Sequence, residues 1–191
     1  MLNSKKIKNV ICLLTLFLLI LSIKSVAVVS PTKDFFVNDY AGVLTEETEN
    51  YIIQTNIELQ QKTGAQIVVV TVESLEGMDI EEYSMQLARN FQIGNAEKNN
   101  GVLMLCSIED RKFRIEVGYE LEGKLTDGRT GIIQDEYIRP YLRKNDYDSG
   151  IINCFNEILQ DVAEEYNITI SSVEFKDNEI SEDESVAIQS Q

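Results

Sequence analysis

The chain contains no histidine and no tryptophan among its 191 residues. Without histidine it cannot build a Ser-His-Asp or Cys-His nucleophile system, a histidine phosphatase centre, or a zinc site that uses imidazole ligands. Any catalysis must therefore depend on carboxylates, on a hard cation held by carboxylates, or on arginine, lysine and tyrosine side chains.

Cysteine is scarce as well, and only Cys106 and Cys154 lie beyond the first 27 residues. Cys106 falls in an apolar segment that predicts a strand, and Cys154 falls in an amphipathic segment that predicts a helix. An exported protein can pair two such cysteines, but two separately buried thiols fit the pattern equally well. The sequence leaves both alternatives open.

Basic residues are few compared with acidic ones, at 17 against 32. Residues 1–27 hold four of the lysines and no acid, so the remainder carries 13 basic and 32 acidic residues, a net charge of −19. Such a surface repels nucleic acid and anionic lipid headgroups and attracts cations or basic partners. Nucleic-acid binding is therefore not expected.

Only one long apolar run is present, over residues 10–23. Three lysines precede it, and the small-x-small sequence Ser25-Val26-Ala27 follows it, which is the pattern of a secretory signal peptide over residues 1–27. The run is short for a membrane span, although an uncleaved N-terminal anchor remains an alternative. We expect an extracytoplasmic protein that is secreted or held at the membrane by this segment, with no C-terminal membrane anchor.

Hydrophobic periodicity predicts an α/β fold: an α/β/α sandwich on a small mixed sheet with one βαβ unit and an antiparallel hairpin. The two buried strands lie at 67–72 and 102–108, with a helix between them that implies parallel pairing. Predicted around them are a loop at 38–44, helices at 45–63, 79–92 and 129–139, a returning strand at 112–118, and a last helix capped by Asp146 or Asp148. Beyond the domain at 34–166, residues 167–175 predict an edge strand, and the acidic residues 176–191 predict a disordered tail.

Asp39, Asp110 and Asp127 are the candidate metal ligands, because each lies in a turn or beside a glycine where a side chain can point outward. Hard cations such as Ca²⁺ take six to eight oxygen ligands from carboxylates, carbonyls and water. The alternative is that these aspartates are turn formers and helix caps, as most are in so acidic a chain.

Four segments, "NDYAGVLT", "TGAQIVVVTV", "FQIGNAEKNNGVLMLCSIEDRKFRIEVGYELEGKLTDGRTG" and "YIRPYLRKNDYDSGI", resemble the TPM-domain family in order and spacing. The resemblance covers residues 34–166. It implies an α/β/α sandwich exposed outside the cytoplasm, or in the thylakoid lumen in plants, and usually tethered by a membrane segment.

The resemblance also implies site residues. Asp39, Asp110 and Asp127 match acidic positions associated with divalent-cation binding, with Ca²⁺ favoured over Mg²⁺. The positions that would frame an acidic cleft with them are Arg111, Gly118, Tyr119, Glu122 and Arg129. Two departures from the family pattern are Glu120, which replaces a glycine, and Phe91, which stands where an indole is common.

Two functions remain open. The preferred one is an exported accessory module that binds a divalent cation in an acidic cleft and acts on or with a membrane protein or complex. The alternative is a metal-assisted, phosphatase-like hydrolase, in which the three aspartates hold the metal and Arg111 or Arg129 neutralises phosphate charge.

Overall fold

The computed structural model describes residues 28–171. The predicted signal peptide and the predicted disordered tail lie outside these residues. Of the edge strand predicted over 167–175, the described part forms a turn and irregular chain. Within residues 28–171, no helix is both long enough and apolar enough to cross a membrane.

The sheet confirms the predicted fold class. Its strands are β1 (Val37–Asp39), β2 (Gln66–Val72), β3 (Gly101–Ser107) and β4 (Lys112–Val117), in the spatial order β1-β2-β3-β4. The first three are parallel, and β4 returns antiparallel to β3. This arrangement contains the predicted βαβ unit and the predicted hairpin.

Strand β1 corrects the sequence prediction, which assigned residues 38–44 to a loop. Val37, Asn38 and Asp39 instead pair in parallel with Val69, Val70 and Thr71. Asparagine and aspartate are depleted in strands, and three residues give too short a pattern to detect. The strand forms because β2 offers it an open edge, and it adds a second parallel connection to the sheet.

The helices are α1 (Glu46–Thr63), α2 (Ile80–Phe91), α3 (Asp127–Ile133), α4 (Arg139–Leu142) and α5 (Tyr147–Glu165), with a 3₁₀ turn at Tyr119–Leu121 and a π-helical turn at Gln134–Ile138. Both ends of α1 are capped, close to the bounds predicted for this helix. The Thr45 hydroxyl accepts from the Thr48 N–H at 3.2 Å, and Gly64 ends the helix in the left-handed region at φ 79°.

Pro140 does not end the helical path. The helix predicted over 129–139 begins earlier, at Asp127, and passes through the π-helical turn before α4 resumes with Pro140 in its first turn. Proline is tolerated there because the amides of a first helical turn need no intrahelical acceptor.

Two apolar layers enclose the sheet. One face packs against α1 and α5, with Phe155 fully buried and in edge-to-face contact with Tyr51. The other face packs against α2. Cys106 and Cys154 are both buried free thiols, so the structure favours separate thiols over a disulfide. Burial raises the pKa of the Cys106 thiol to about 12, which makes it a poor nucleophile.

Candidate functional site

The carboxyl ends of the parallel strands form the edge where ligands collect in open α/β sheets. We call this the carboxyl edge, and Asp39 lies there at the end of β1. One of its carboxylate oxygens accepts from the Leu44 N–H at 2.8 Å, and the other accepts from the Thr71 hydroxyl. Asp39 therefore fixes the loop between β1 and α1.

Asp110 lies at the same edge, in the hairpin between β3 and β4. Its carboxylate accepts from the Ser107 hydroxyl at 2.6 Å and from the Leu75 N–H at 2.8 Å. These two hydrogen bonds hold the pKa of Asp110 below its ordinary value. Asp110 thus ties the loop after β2 to the hairpin.

The two aspartates sit on opposite faces of the sheet. Thr71 pairs with Cys106 in the parallel register, and Ser107 is the next residue along β3. Successive strand residues point to opposite faces, so the Thr71 partner of Asp39 and the Ser107 partner of Asp110 are on different sides. Asp39 and Asp110 do not converge on one point.

Asp127 lies at the other end of the sheet. Strand β4 delivers the chain to the amino ends of the parallel strands, where the Gly118 N–H donates to the Gly101 carbonyl at 2.7 Å. Lys124 then pairs with Glu164 near the end of α5, at 2.6 Å. The structure separates the three predicted ligands, and no group of three His, Cys, Asp or Glu residues within 28–171 is arranged to hold a metal ion.

Arg129 is engaged in the scaffold. Its Nε donates to Asp161 Oδ2 at 2.6 Å, and its Nη2 donates to Glu157 Oε2 at 2.8 Å. Asp161 is only 5% exposed. The hydrogen bond that Arg129 donates to the Asp161 carboxylate is the main reason that the pKa of Arg129 is raised. Arg129 therefore neutralises a buried carboxylate on α5.

We call residues 118–131, which follow β4, the glycine-acid loop, and its other predicted cleft residues also lie at the amino end of the sheet. The Gly118 Cα packs against the Asn99 backbone, Tyr119 is 79% exposed, and Glu122 follows the 3₁₀ turn at the surface. Glu120, which departs from the family pattern, accepts from the Tyr166 hydroxyl at 2.9 Å. These contacts close the glycine-acid loop onto the start of β3 and the end of α5.

Near β1, the carboxyl edge is acidic. Burial raises the pKa of Glu49, and the negative charges of Asp39, Asp34 and Glu46 raise it further. Mutual repulsion of this kind is relieved by a cation, so this part of the edge has the right charge to attract one.

Near β4, the carboxyl edge carries several basic residues. Of these, only Arg111 was predicted from the sequence. A pocket of about 330 Å³ lies between the hairpin, the start of α2 and the π-helical turn. Its apolar lining includes Ile80, Phe113, Ile138 and Leu142. We call this pocket and the cations of its hairpin and helical segments the basic corner; Arg111, Lys112 and Arg139 line the pocket together with Asp79, and Arg143 and Lys144 follow Leu142 along the chain.

Four of these five cations form no ion pair with any residue of the described chain, and the fifth, Arg139, pairs with the exposed Asp135 at 2.5 Å. Elsewhere in the described chain, Lys62, Arg114, Lys124 and Arg129 are ion-paired, whereas Lys33, Arg89 and Lys98 are not, so the corner differs in gathering its unpaired cations in one place. The sequence did carry one signal, since "RPYLRK" at 139–144 holds three cations in an otherwise acidic chain.

Arg111 is unusual within this corner. Its backbone is left-handed, at φ 52°, a conformation that costs a residue with a Cβ about 1–2 kcal/mol. Its guanidinium reaches across to Asn145, with Nη2 at 3.4 Å from Oδ1. The π-helical turn forms the facing wall, and such turns occur frequently at functional sites.

Comparison with known proteins places these features in a family context. A family model described as TPM domain matches residues 37–161. No curated protein matches the chain. Among solved structures, the N-terminal domain of a protein from P. gingivalis superposes with a TM-score of 0.66 at 26% identity, over 75% of this chain and 97% of that one.

Two further solution structures are similar in fold. The BA42 protein of the psychrophilic bacterium Bizionia argentinensis has a TM-score of 0.55 at 20% identity, covering 66% of this chain and 86% of its own. The N-terminal domain of cg2496 from Corynebacterium glutamicum has a TM-score of 0.52 at 17% identity, covering 72% of this chain and 88% of its own.

Proposed function

This chain belongs to the TPM domain family, and from that premise we propose that it is an exported accessory module that docks on a membrane protein or complex through the basic corner. The observation that carries this proposal is the cluster of cations without ion-pair partners among residues 28–171, gathered around an apolar pocket. The predicted signal peptide supports the exported location.

The chemistry of the corner indicates the kind of partner. An arginine guanidinium matches the planar carboxylate with two parallel hydrogen bonds, and Arg111 has no carboxylate partner within the described residues. The lining beneath it, formed by Phe113, Ile138 and Leu142, favours an apolar side chain. We therefore assign the partner surface as an acidic peptide segment that also carries an aromatic or aliphatic residue.

The backbone of Arg111 provides a further argument. A left-handed residue in a tight hairpin is most easily glycine or asparagine, which adopt this conformation with little strain. Holding an arginine there costs stability, as holding Glu76 and Gln92 at the same φ of 52° does, and at Arg111 the binding of a partner would offset that cost. This trade between stability and binding is directly testable.

Replacing Arg111 with glycine should weaken peptide binding while stabilising the fold. The probe is acetyl-Glu-Phe-Glu-amide, titrated into the purified protein by calorimetry. Loss of the charge-assisted hydrogen bonds should weaken binding about tenfold or more, since these bonds contribute about 1.5–3 kcal/mol. Relief of the left-handed strain should raise the free energy of unfolding by up to about 1 kcal/mol.

Glu76 provides the matched control, because it has the same φ of 52° and does not line the pocket. Glu76→Gly should gain similar stability and bind the peptide as the wild type does. If Arg111→Gly binds the peptide with the same Kd as the wild type, the basic corner is not the docking surface.

We extend the proposal to a divalent cation, Ca²⁺ rather than Mg²⁺, at the acidic part of the carboxyl edge around Asp39. The repulsion among Glu49, Asp39, Asp34 and Glu46 supports this placement. The three-aspartate cage expected from the sequence does not fit, because Asp110 and Asp127 lie elsewhere. Only Asp39 of that trio remains in the proposed site, which predicts weak binding.

Thermal unfolding with chelator and then with about 10 mM Ca²⁺ tests this site. A Kd of about 1 mM would stabilise the fold by about 1.4 kcal/mol and raise Tm by about 3–6 °C. Asp39→Asn should abolish the rise, whereas Asp127→Asn, at the far end of the sheet, should keep it. If the Ca²⁺-dependent rise in Tm is instead lost in Asp127→Asn, the cation binds at the glycine-acid loop.

The hydrolase hypothesis has less support. It needs Asp39, Asp110 and Asp127 to share one metal ion, with Arg111 or Arg129 beside it. These residues lie at two ends of the sheet, and Arg129 is already occupied by Glu157 and Asp161. Docking is therefore the function that we assign.

A further inference from the structure

Strand β4 leaves one side of the sheet open. It lies at the margin of the sheet and pairs only with β3 among the described strands. The other margin is β1, which is only three residues long. Open edges with unpaired backbone groups are templates for pairing with another chain.

The hydrogen-bond pattern shows which residues face outward. The Gly118 N–H donates to the Gly101 carbonyl, so this is a hydrogen-bonded pair of the antiparallel ladder. Because such pairs alternate, Lys112, Arg114 and Glu116 direct their backbone groups toward β3. The backbone N–H and C=O groups of Phe113, Ile115 and Val117 therefore point away from the sheet, and no hydrogen bond joins them to any other residue within 28–171.

We propose that this outer edge of β4 pairs antiparallel with β4 of a second copy of the chain. Maximal backbone pairing of the outward groups sets the register with Ile115 opposite the partner's Ile115 and Phe113 opposite the partner's Val117. The same register places Arg114 opposite the partner's Glu116, and this occurs twice around the two-fold axis.

Charge complementarity selects this register over its neighbours. A shift of two residues in one direction places Arg114 opposite its own copy, and a shift in the other direction places Glu116 opposite its own copy. Like charges directly opposite each other are destabilising, and opposite charges contribute favourably. Charges in the middle of an edge strand normally prevent pairing, but here they permit one self-complementary pairing.

The surroundings of the edge fit an association surface. On the α2 side, Arg114 forms ion pairs with Glu81 at 3.1 Å and with Glu116 of its own chain, and Glu116 also accepts from the Ser84 hydroxyl at 2.7 Å. Both charges are therefore held beside the edge, where the second copy would extend the pair into a four-membered network of charges. A groove of about 190 Å³ adjoins Glu116 and Val117, and it is lined by Met85, which is 45% exposed. The second copy would cover this apolar surface.

The test is the molar mass of the purified protein by sedimentation equilibrium between about 5 µM and 1 mM. We expect a monomer-dimer equilibrium that Arg114→Glu weakens at least tenfold, because residue 114 then faces the partner's Glu116. The double variant Arg114→Glu with Glu116→Arg should restore dimerisation, since the opposite charges are exchanged. Circular dichroism on each variant reports whether it folds.

A backbone variant tests the edge independently. Val117→Pro removes an outward N–H that the ladder with β3 does not use, and proline is tolerated at such edge positions. It should also weaken the dimer. A protein that stays monomeric to 1 mM, or a dimer whose Kd is unchanged in both Arg114→Glu and Val117→Pro, would overturn the proposal.

Discussion

Replacing Arg129 with methionine should lower the free energy of unfolding by about 3 kcal/mol and lower Tm by about 6–12 °C. Methionine keeps the apolar stem but leaves the Asp161 carboxylate, 5% exposed, without its main cation. Lys124 lies 3.9 Å from the same carboxylate and replaces only part of the lost interaction. Chemical denaturation of the two proteins measures the difference.

Arg139 provides the matched control for this experiment. It also forms an arginine-aspartate ion pair, with Asp135, but both side chains are 60% exposed. Exposed pairs contribute about 0–1 kcal/mol, so Arg139→Met should change stability little. Adding Asp161→Leu to Arg129→Met should recover much of the loss, because no unpaired buried charge then remains. Equal effects of the two arginine variants would contradict a structural role for Arg129.

The second large effect is expected at Gly118. A Cβ placed on this residue would lie 2.1 Å from the Asn99 carbonyl oxygen and 2.8 Å from its carbon, both backbone atoms that cannot move aside. Gly118→Ala must therefore break the Gly118–Gly101 hydrogen bond or displace the segment before β3. We expect a loss of about 3 kcal/mol or more in the free energy of unfolding, at the upper end of the overpacking range.

Gly123, five residues later in the same loop, is the control. A Cβ there meets no atom within 4 Å, so Gly123→Ala should be neutral or slightly stabilising. Thermal melts of the two alanine variants give the comparison directly. If Gly118→Ala has the same Tm as the wild type, a side chain at residue 118 is tolerated, and the loop does not pack closely against the Asn99 backbone.

Arg129 and Gly118 show why the fold was more predictable from the sequence than the site. The buried runs of β2 and β3 and the helical periodicity between them are local patterns, and they predicted the mixed sheet and the hairpin. What the residues of the glycine-acid loop contact depends on partners far along the chain, as with Arg129 and Asp161, and no local pattern contains that information.

Which of the candidate site residues lie together could not be predicted from the sequence, for the same physical reason. A turn aspartate with an outward side chain is indistinguishable in sequence from one that accepts hydrogen bonds from a neighbouring loop. Asp110 is of the second kind, held by Ser107 and Leu75. The residues of the basic corner come from the hairpin, α2, the π-helical turn and α4. They are distant in sequence and lie together only in the folded structure, so no local pattern predicts the corner.

Partner binding at the basic corner of the carboxyl edge, with the glycine-acid loop as scaffold, gives an expectation for each residue of the two segments. The most direct test is to follow the backbone amide resonances of the isotopically labelled protein during titration with acetyl-Glu-Phe-Glu-amide. We predict saturable shifts confined to Arg111–Phe113 and residues 134–145, with residues 118–131 unchanged. Shifts centred on 118–131, or no saturable shift at millimolar peptide, would show that the basic corner is not the docking surface.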